Sequence, residues 1–269
     1  MFFCKISSFA VPSLTFHMRP IEGCRYLTEL REFEVVDSTN DVLRRWMKEE
    51  SMDSGIVVQA MHQTSGRGQF GTSWQNQEGK DLLMSIFFKP GEAFTKGPWT
   101  LNMSICLALR KFCNDILGRE VQVKWPNDLI VNDRKIAGIL IENHISHKWE
   151  SSVIGLGLNV NQENLPDGFQ AASLAGILGH SLELDRLRDG SFFELDAYLH
   201  RFTQEEPNDL LAEYNGHLYR KDQWARFKKA ERIFRGMILG VKEDGTLLLR
   251  DEEGRVIQPK TKEIEYIWQ

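Results

Sequence analysis

Cysteine is scarce in this chain of 269 residues: Cys4, Cys24, Cys106 and Cys113 are the whole supply, and no two stand at C-x-x-C spacing or beside a histidine cluster. That argues against a disulfide framework and against a zinc site, and it fits a reducing cytoplasm. Cys106 and Cys113 lie a heptad apart in an apolar run, the spacing of two thiols buried on one helix. No apolar run reaches membrane-spanning length, so no membrane partner is expected. The N-terminal stretch has one basic residue, Lys5, and Ser7, Ser8 and Pro12 interrupt its apolar character, which argues against a signal peptide. A disordered tail, or a start at Met18, is the expectation. Excess positive charge is also missing. Lys and Arg total 33 against 38 Asp and Glu, a net charge of -5, so no overall basic surface is available for nucleic acid. The basic stretch Lys221 to Lys229 reads as solvated helix charge. There is no internal repeat and no low-complexity segment.

What is present is an ordinary globular composition, 42% hydrophobic and 26% charged. The patterning predicts a strand over about 31–37, then a helix over about 40–50 capped by Ser38, Thr39 or Asn40. Strands follow at Ile56 to Met61 and Asp81 to Phe88, with a glycine-rich loop from Thr64 to Gly71 between them. Thr100 is read as the cap of a helix over about 101–117 that ends at Gly118. Val121 to Trp125 is a strand stopped by Pro126, and Leu129 to Asn132 with Ile136 to Glu142 reads as a hairpin turning at Asp133-Arg134. A strand over Ser152 to Val160 and helices over about 173–179 and 191–215, the latter broken at Pro207, complete the main part. Beyond residue 230 short strands alternate with turn signals, as in a small β-barrel. Strands and helices mix without regular βαβ alternation. That predicts an α+β fold, a mixed β-sheet packed with helices, plus a small C-terminal β-barrel. The division expected is an N-terminal extension over 1–30, partly disordered, a catalytic domain over 31–220 and a C-terminal domain over 221–269.

Four short constellations carry chemical potential. Gly66-Arg67-Gly68-Gln69-Phe70-Gly71 places three glycines around a guanidinium, so backbone N–H groups and a planar cation can approach a carboxylate or phosphate. No helix is predicted directly after it, so it is not a dinucleotide fingerprint. Lys124-Trp125-Pro126-Asn127-Asp128 delivers Asn127 and Asp128 to a strand edge, where they suit Mg²⁺ or a nucleotide. Lys135 begins an apolar strand beside Ala137 and Gly138, from which it can point into a pocket. Gly155-Leu156-Gly157-Leu158-Asn159 leaves room for a flat ligand on a strand, and Asn159 has the donor and acceptor to read an adenine edge. Taken singly, each is equally a surface loop, a Pro-Asn-Asp turn, an exposed hairpin lysine or a β-bulge.

Their order and joint presence change that balance. The chain resembles biotin–protein ligases, the family that biotinylates acetyl-CoA carboxylase and related enzymes. The matching pieces are Asp37-Ser38-Thr39-Asn40, Gln63, Gly66-Arg67-Gly68 with Gly71, Trp74, Lys124 to Asp128, Lys135 to Leu140 and Gly155 to Val160. The resemblance is strong over about 31–215 and looser over 230–269, which is similar to that family's SH3-like C-terminal domain.

The resemblance implies the biotin/lipoate ligase catalytic fold, with ATP as co-substrate, Mg²⁺ and biotin. Catalytic roles fall to Lys135 and Arg67. Substrate contacts fall to Ser38, Thr39, Asn40, Gln63, Gly66, Arg67, Gly68, Gln69, Phe70, Gly71, Trp74, Lys135 and Gly138. Of these, Ser38, Thr39 and Gln63 hold the ureido head of biotin and Trp74 forms an apolar wall. Nucleotide contacts fall to Asn127, Lys135 and Asn159, and metal contacts to Asn127 and Asp128. The implied reaction has two steps: biotin and Mg·ATP give biotinyl-5'-AMP and pyrophosphate, then a lysine of a biotin carboxyl carrier protein attacks and releases AMP. The glycine loop is expected to act as a lid over the labile mixed anhydride.

One departure stands out: the family's loop often has basic residues at the positions of Gln69 and Phe70, and here neither is charged. Retention of the adenylate is therefore expected to rest on Arg67 and Lys135. Rival readings are a lipoate- or octanoate-type ligase of the same fold, a non-catalytic biotin-binding protein, and a biotin-sensing repressor. For the last, only about 30 residues precede the catalytic region, too few for a helix-turn-helix domain. A homodimer formed through a sheet edge is a further expectation.

Overall fold

The computed structural model describes residues 16–49, 51–91, 96–163, 165 and 170–267. Cys4 and the expected disordered tail up to residue 15 lie outside the described residues. The main unit is an eight-stranded sheet of β1 (His17–Pro20), β2 (Glu29–Val36), β3 (Ile56–Gln63), β4 (Asp81–Phe88), β5 (Gln122–Lys124), β6 (Asp128–Val131), β7 (Arg134–Ile145) and β8 (Trp149–Asn159). Its order is β1-β2-β3-β4-β8-β7-β6-β5; β2 and β3 run parallel and every other pair is antiparallel. Residues 16–30, counted with the N-terminal extension on sequence grounds, are built into this sheet: β1 pairs with β2, and Phe16, Ile21, Leu27 and Leu30 are buried.

The sheet has a core on each face. On one face α1 (Thr39–Glu49) packs Val42, Leu43 and Trp46 against Phe16, Phe33, Phe87 and Val153. The other face carries α2 (Pro98–Leu117), α3 (Leu174–Leu178), α4 (Leu184–Gln204) and α5 (Pro207–Gly216). β4 lies at the centre and is buried along its full length, which is why its sequence is mostly apolar instead of alternating, with Asp81 and Ser85 its two polar positions. Cys106 and Cys113 are buried free thiols on α2, as their spacing predicts.

Three sequence readings need correction. α2 starts at Pro98 behind Gly97 and not at a Thr100 cap, because proline fills the first helical position where a missing N–H costs nothing. Its other end is as expected, with Gly118 in the left-handed region at φ 57°. The helical stretch expected over 191–215 is parted before Pro207, as the sequence predicts, but its first helix, α4, begins earlier than 191, at Leu184, with Leu187 and Arg188 buried. The basic stretch Lys221 to Lys229 is not helical. It contains β9 (Trp224–Lys229), in which Ala225 and Phe227 point inward between exposed neighbours, so the period is two and the charges lie on the solvent face.

That strand opens a second sheet with β10 (Arg232–Val241), β11 (Leu247–Asp251), β12 (Val256–Ile257) and β13 (Glu265–Ile267), ordered β12-β11-β10-β9-β13 and antiparallel throughout. This small C-terminal β-unit is consistent with an SH3-like domain. It shares the core of the helical face through Ile238, Leu247 and Leu249. Direct bonds reinforce the join: Trp125 Nε1 donates to the Gly245 carbonyl (3.0 Å), and Asn215 and Val241 bond each other twice. Among the described residues no helix is long and apolar enough to cross a membrane.

Candidate active site

A cavity of about 820 Å³ opens where four pieces of chain meet: the β2–α1 junction with the end of β3, the glycine loop, the β6–β7–β8 floor, and β13 of the C-terminal sheet. Its size suits a ligand of drug-like dimensions.

The first wall is a buried polar network. Gln63 Oε1 accepts the Thr39 N–H at 2.7 Å and lies 3.1 Å from the Thr39 hydroxyl. The Ser85 hydroxyl stands 2.7 Å from Thr39 Oγ1 and donates to Asn40 Oδ1 at 2.6 Å, while Asn40 Nδ2 donates to Glu142 at 2.9 Å. Ser38, Thr39, Asn40 and Gln63 are all buried and all line the cavity. Such a network fixes donor and acceptor positions before a ligand arrives, as recognition of a small polar head requires.

The floor is made of glycine. Gly138 of β7 and Gly157 of β8 are partners in register, and the Trp74 indole lies across them. A Cβ at Gly157 would stand 2.5 Å from Trp74 Cε2, and one at Gly138 2.8 Å from Cζ3. The flat group on the glycine strand is thus the protein's own tryptophan. Gly66 permits this arrangement from the loop side: its carbonyl accepts the Trp74 N–H at 2.8 Å, and a Cβ there would stand 2.7 Å from the Trp74 carbonyl.

Charge is concentrated at two places. Lys135 Nζ lies 2.6 Å from Asp128 Oδ1 and 5.2 Å above the Trp74 ring, while Lys124 Nζ lies 3.7 Å from Asp128 Oδ2. Two ammonium groups thus share the Asp128 carboxylate at the cavity wall, and Lys124 also lies 5.1 Å over the Tyr266 ring. Burial pushes the Lys124 ammonium below its ordinary range; Asp128 opposes this and Lys135 adds to it. At the other end of the cavity, Arg67 is gripped by Asp41 at 2.8 Å and Glu142 at 3.2 Å, a carboxylate pair that holds its pKa above the usual arginine value against the opposing effect of burial.

The structure therefore brings the glycine loop and Lys135 to one cavity. Arg67, Gly68, Gln69, Phe70, Trp74, Asn127, Asp128, Lys135 and Gly138 line it, whereas Gly66 and Gly71 shape the loop from outside the lining. Asn159 does not reach it. The side chain is buried and donates to the Ala172 carbonyl (3.2 Å) and, more weakly, the Lys135 carbonyl (3.5 Å), so it braces the strand that presents Lys135. The reading of Asn127 and Asp128 as a magnesium pair is also corrected. Both Asp128 oxygens face ammonium groups, and Asn127 is buried with its amide donating to the Ile139 carbonyl; hard-cation sites need open carboxylate oxygens. Among the described residues no group of three or more His, Cys, Asp or Glu is placed to hold a metal.

Sequence reasoning did not assign site roles to Lys124, Asp41, Ser85, Glu142, Lys262 or Tyr266. Lys124 was visible as the head of its motif. The others meet the site only through folding, with Asp41 and Glu142 a hundred residues apart and Tyr266 coming from the second sheet.

Comparison with known proteins adds to this geometry. Residues 32–159 match the model of the biotin/lipoate A/B protein ligase family. The chain is 30% identical over 236 residues to the bifunctional ligase/repressor BirA of Bacillus spizizenii, covering 82% of this chain and 69% of that one. It is 29% identical over 191 residues to a biotin–[acetyl-CoA-carboxylase] ligase of Mycobacterium tuberculosis, covering 68% of this chain and 70% of that one. Its fold is similar to that of the biotin protein ligase of Aquifex aeolicus in complex with biotin and ATP, with a TM-score of 0.73 and 25% identity over 88% of this chain and 97% of that one.

Proposed function

Because the chain belongs to the biotin/lipoate A/B protein ligase family, we propose that it works as a biotin–protein ligase, activating biotin with ATP and passing it to a lysine of a carrier protein. The observation that carries the reading is the joint presence, on one cavity, of a rigid polar network, a glycine loop with its arginine, and Lys135 held against Asp128.

In this reading the ureido head of biotin meets Ser38, Thr39 and Gln63; Thr39 is fixed by bonds to Gln63 and Ser85, and the Ser38 N–H by the Asp37 carboxylate. The carboxylate end extends toward Arg67, whose guanidinium fork it reaches by displacing one of the two carboxylates that hold it, Asp41 or Glu142. A biotin carboxylate oxygen attacks the α-phosphorus of ATP, the bond to the β-phosphate oxygen breaks, and pyrophosphate leaves. Negative charge builds on the α-phosphate oxygens during this step. Lys135 and Lys124, which both line the cavity, are placed to stabilise it. In the second step the carrier's lysine amine attacks the acyl carbon, the carbon–oxygen bond to phosphate breaks and AMP departs. No nucleophile of this chain is needed.

Magnesium accompanies ATP in this scheme and supplies charge neutralisation at the phosphates; Asn127 and Asp128 are not assigned to it. The acceptor is a biotin carboxyl carrier domain, by likeness to relatives named for acetyl-CoA carboxylase. The direct test is incubation with ATP, Mg²⁺ and either biotin or lipoate, with mass detection of the acyl-adenylate and of an acylated carrier lysine. Formation of biotinyl-AMP and biotinylated carrier is expected. An adenylate formed with lipoate and not with biotin sinks the assignment.

A further inference from the structure

The glycine loop is touched from a distance of 192 residues by a side chain of the C-terminal sheet. Lys262 Nζ donates to the Phe70 carbonyl at 3.2 Å and stands 4.1 Å from the centre of the Phe70 ring. Both residues line the cavity. We infer that Lys262 is a positioning residue that latches the glycine loop over the cavity through Phe70, coupling the C-terminal unit to the reaction.

The backbone on each side is arranged for this contact. Phe70 adopts φ 58° and ψ 33°, and Gly71 follows at φ 81°. Two successive left-handed residues turn the chain outward at a point where a side chain other than glycine is sterically penalised. The result is a phenyl ring 57% exposed and offered to Lys262. Lys262 is itself left-handed at φ 73°. Its turn is closed by the Glu263 N–H to the Lys260 carbonyl (2.9 Å) and the Lys260 N–H to the Glu263 carboxylate (3.3 Å), and is anchored by buried Ile264 and by β13 paired on β9. The ammonium is thus presented from a firm base, and the loop docks onto it. Within the loop the supports are short-range: the Gly68 N–H to the Thr72 carbonyl (2.7 Å) and the Thr72 hydroxyl to the Gln69 carbonyl (2.8 Å). Arg67 ties the leading end to Asp41 and Glu142, and Lys262 ties the trailing end.

The latch is a property of the unliganded chain; its consequence for the reaction, slower loss of the acyl-adenylate, rests on the proposed function. The experiment separates the two. Full-length protein without ligand is treated with limiting trypsin, and cleavage of the Arg67–Gly68 bond is followed by mass, since the cutting rate tracks the open population of the loop. Lys262→Ala should be cut about two- to fivefold faster than the parent, the size of one exposed cation–π contact with its hydrogen bond. Lys262→Arg, which keeps the cation and the donor, should cut like the parent. Phe70→Leu combined with Lys262→Ala should cut no faster than Lys262→Ala. With ATP, Mg²⁺ and biotin, the same ranking should appear in the rate at which adenylate leaves the protein on gel filtration, with little change in the KM for biotin. Equal cutting of parent and Lys262→Ala overturns the latch. A parent that forms no biotinyl-AMP overturns the function while the cutting ratio still decides the latch.

Discussion

Arg67 does not wait unoccupied for a substrate: two carboxylates hold it at the cavity mouth, at 2.8 and 3.2 Å. A ligand carboxylate or phosphate must compete with Asp41 and Glu142. These groups are partly exposed, so each contact contributes roughly 0–1 kcal/mol. Asp41→Asn should therefore tighten adenylate retention by up to about fivefold, read as a slower off-rate, while Arg67→Ala should loosen it. If Asp41→Asn weakens retention instead, the carboxylate supports Arg67 rather than competing for it. Lys135 calls for a different measurement. Lys135→Met should lower the rate of biotin-dependent ATP–pyrophosphate exchange by about 100- to 1000-fold, as loss of one preorganised transition-state cation does. Thermal stabilisation by biotin alone should persist, since the polar network around Thr39 does not touch Lys135. Loss of both together would make Lys135 a binding residue. At this scale the sequence identified residue types better than roles. Lys135 and Arg67 stand out only through the joint order of the motifs, since each taken alone reads equally as a surface cation, and the structure brings both to one cavity. Asn159 was misread because its partners are backbone carbonyls, and Asp128 because its two lysines approach from different strands.

At the scale of elements, the β7–β8 pair is the part of the fold shaped most directly by the site. Gly138 and Gly157 are cross-strand partners, and each is bare because Trp74 fills the space a side chain would take. Gly157→Ala places a methyl 2.5 Å from the indole, so something must shift, at a cost of about 1–3 kcal/mol for an overpacked buried contact. The Tm should fall, and Gly157→Ala should cost less in a Trp74→Ala background than in the parent. Purely additive losses in that double-mutant cycle would mean that the indole does not rest on the glycine floor in solution. The glycines were visible in the sequence, and so was the flatness of what they accept; that the occupant is the chain's own tryptophan was not, because a loop's path over a sheet is not written in local periodicity. Elsewhere the periodic signals located β4 and the body of α2 well. They failed at Pro98, at Leu184 and at β9, where capping, tertiary burial and a charged outward face disguise the element.

For the molecule as a whole, the join between the two sheets is rich in buried hydroxyls. Tyr214 on α5 donates to the Pro126 carbonyl at 2.8 Å, beside the cavity motif; Tyr219 donates to Asp133; and the Tyr266 ring lies 6.1 Å from that of Tyr219. Tyr198, deeper between α4 and α5, donates to Glu213 at 2.6 Å. Burial raises all four phenols above their ordinary pKa of 10, with neighbouring carboxylates adding to the effect at Tyr198 and Tyr219. Burial likewise raises the thiols of Cys106 and Cys113, and pushes that of Cys24 up to about 11, from a starting value of 9.0. The sign follows from proton counting. These groups stay protonated in the folded chain while the unfolded chain releases protons, so the stabilisation is complete below pH 9, begins to fall as the thiols ionise in the unfolded state, and falls more steeply above pH 10. Each phenol or thiol contributes a slope of up to about 1.4 kcal/mol per pH unit. Because three of the tyrosines sit between the catalytic sheet and the C-terminal sheet, the join should yield with the fold and not after it. The urea midpoint should therefore drop between pH 9 and 11, and tyrosinate absorbance should rise in step with unfolding rather than ahead of it. Absorbance rising while the fold stays intact would mean that the junction is solvated, and the C-terminal wall of the cavity would then have to be held by the shared aliphatic core alone.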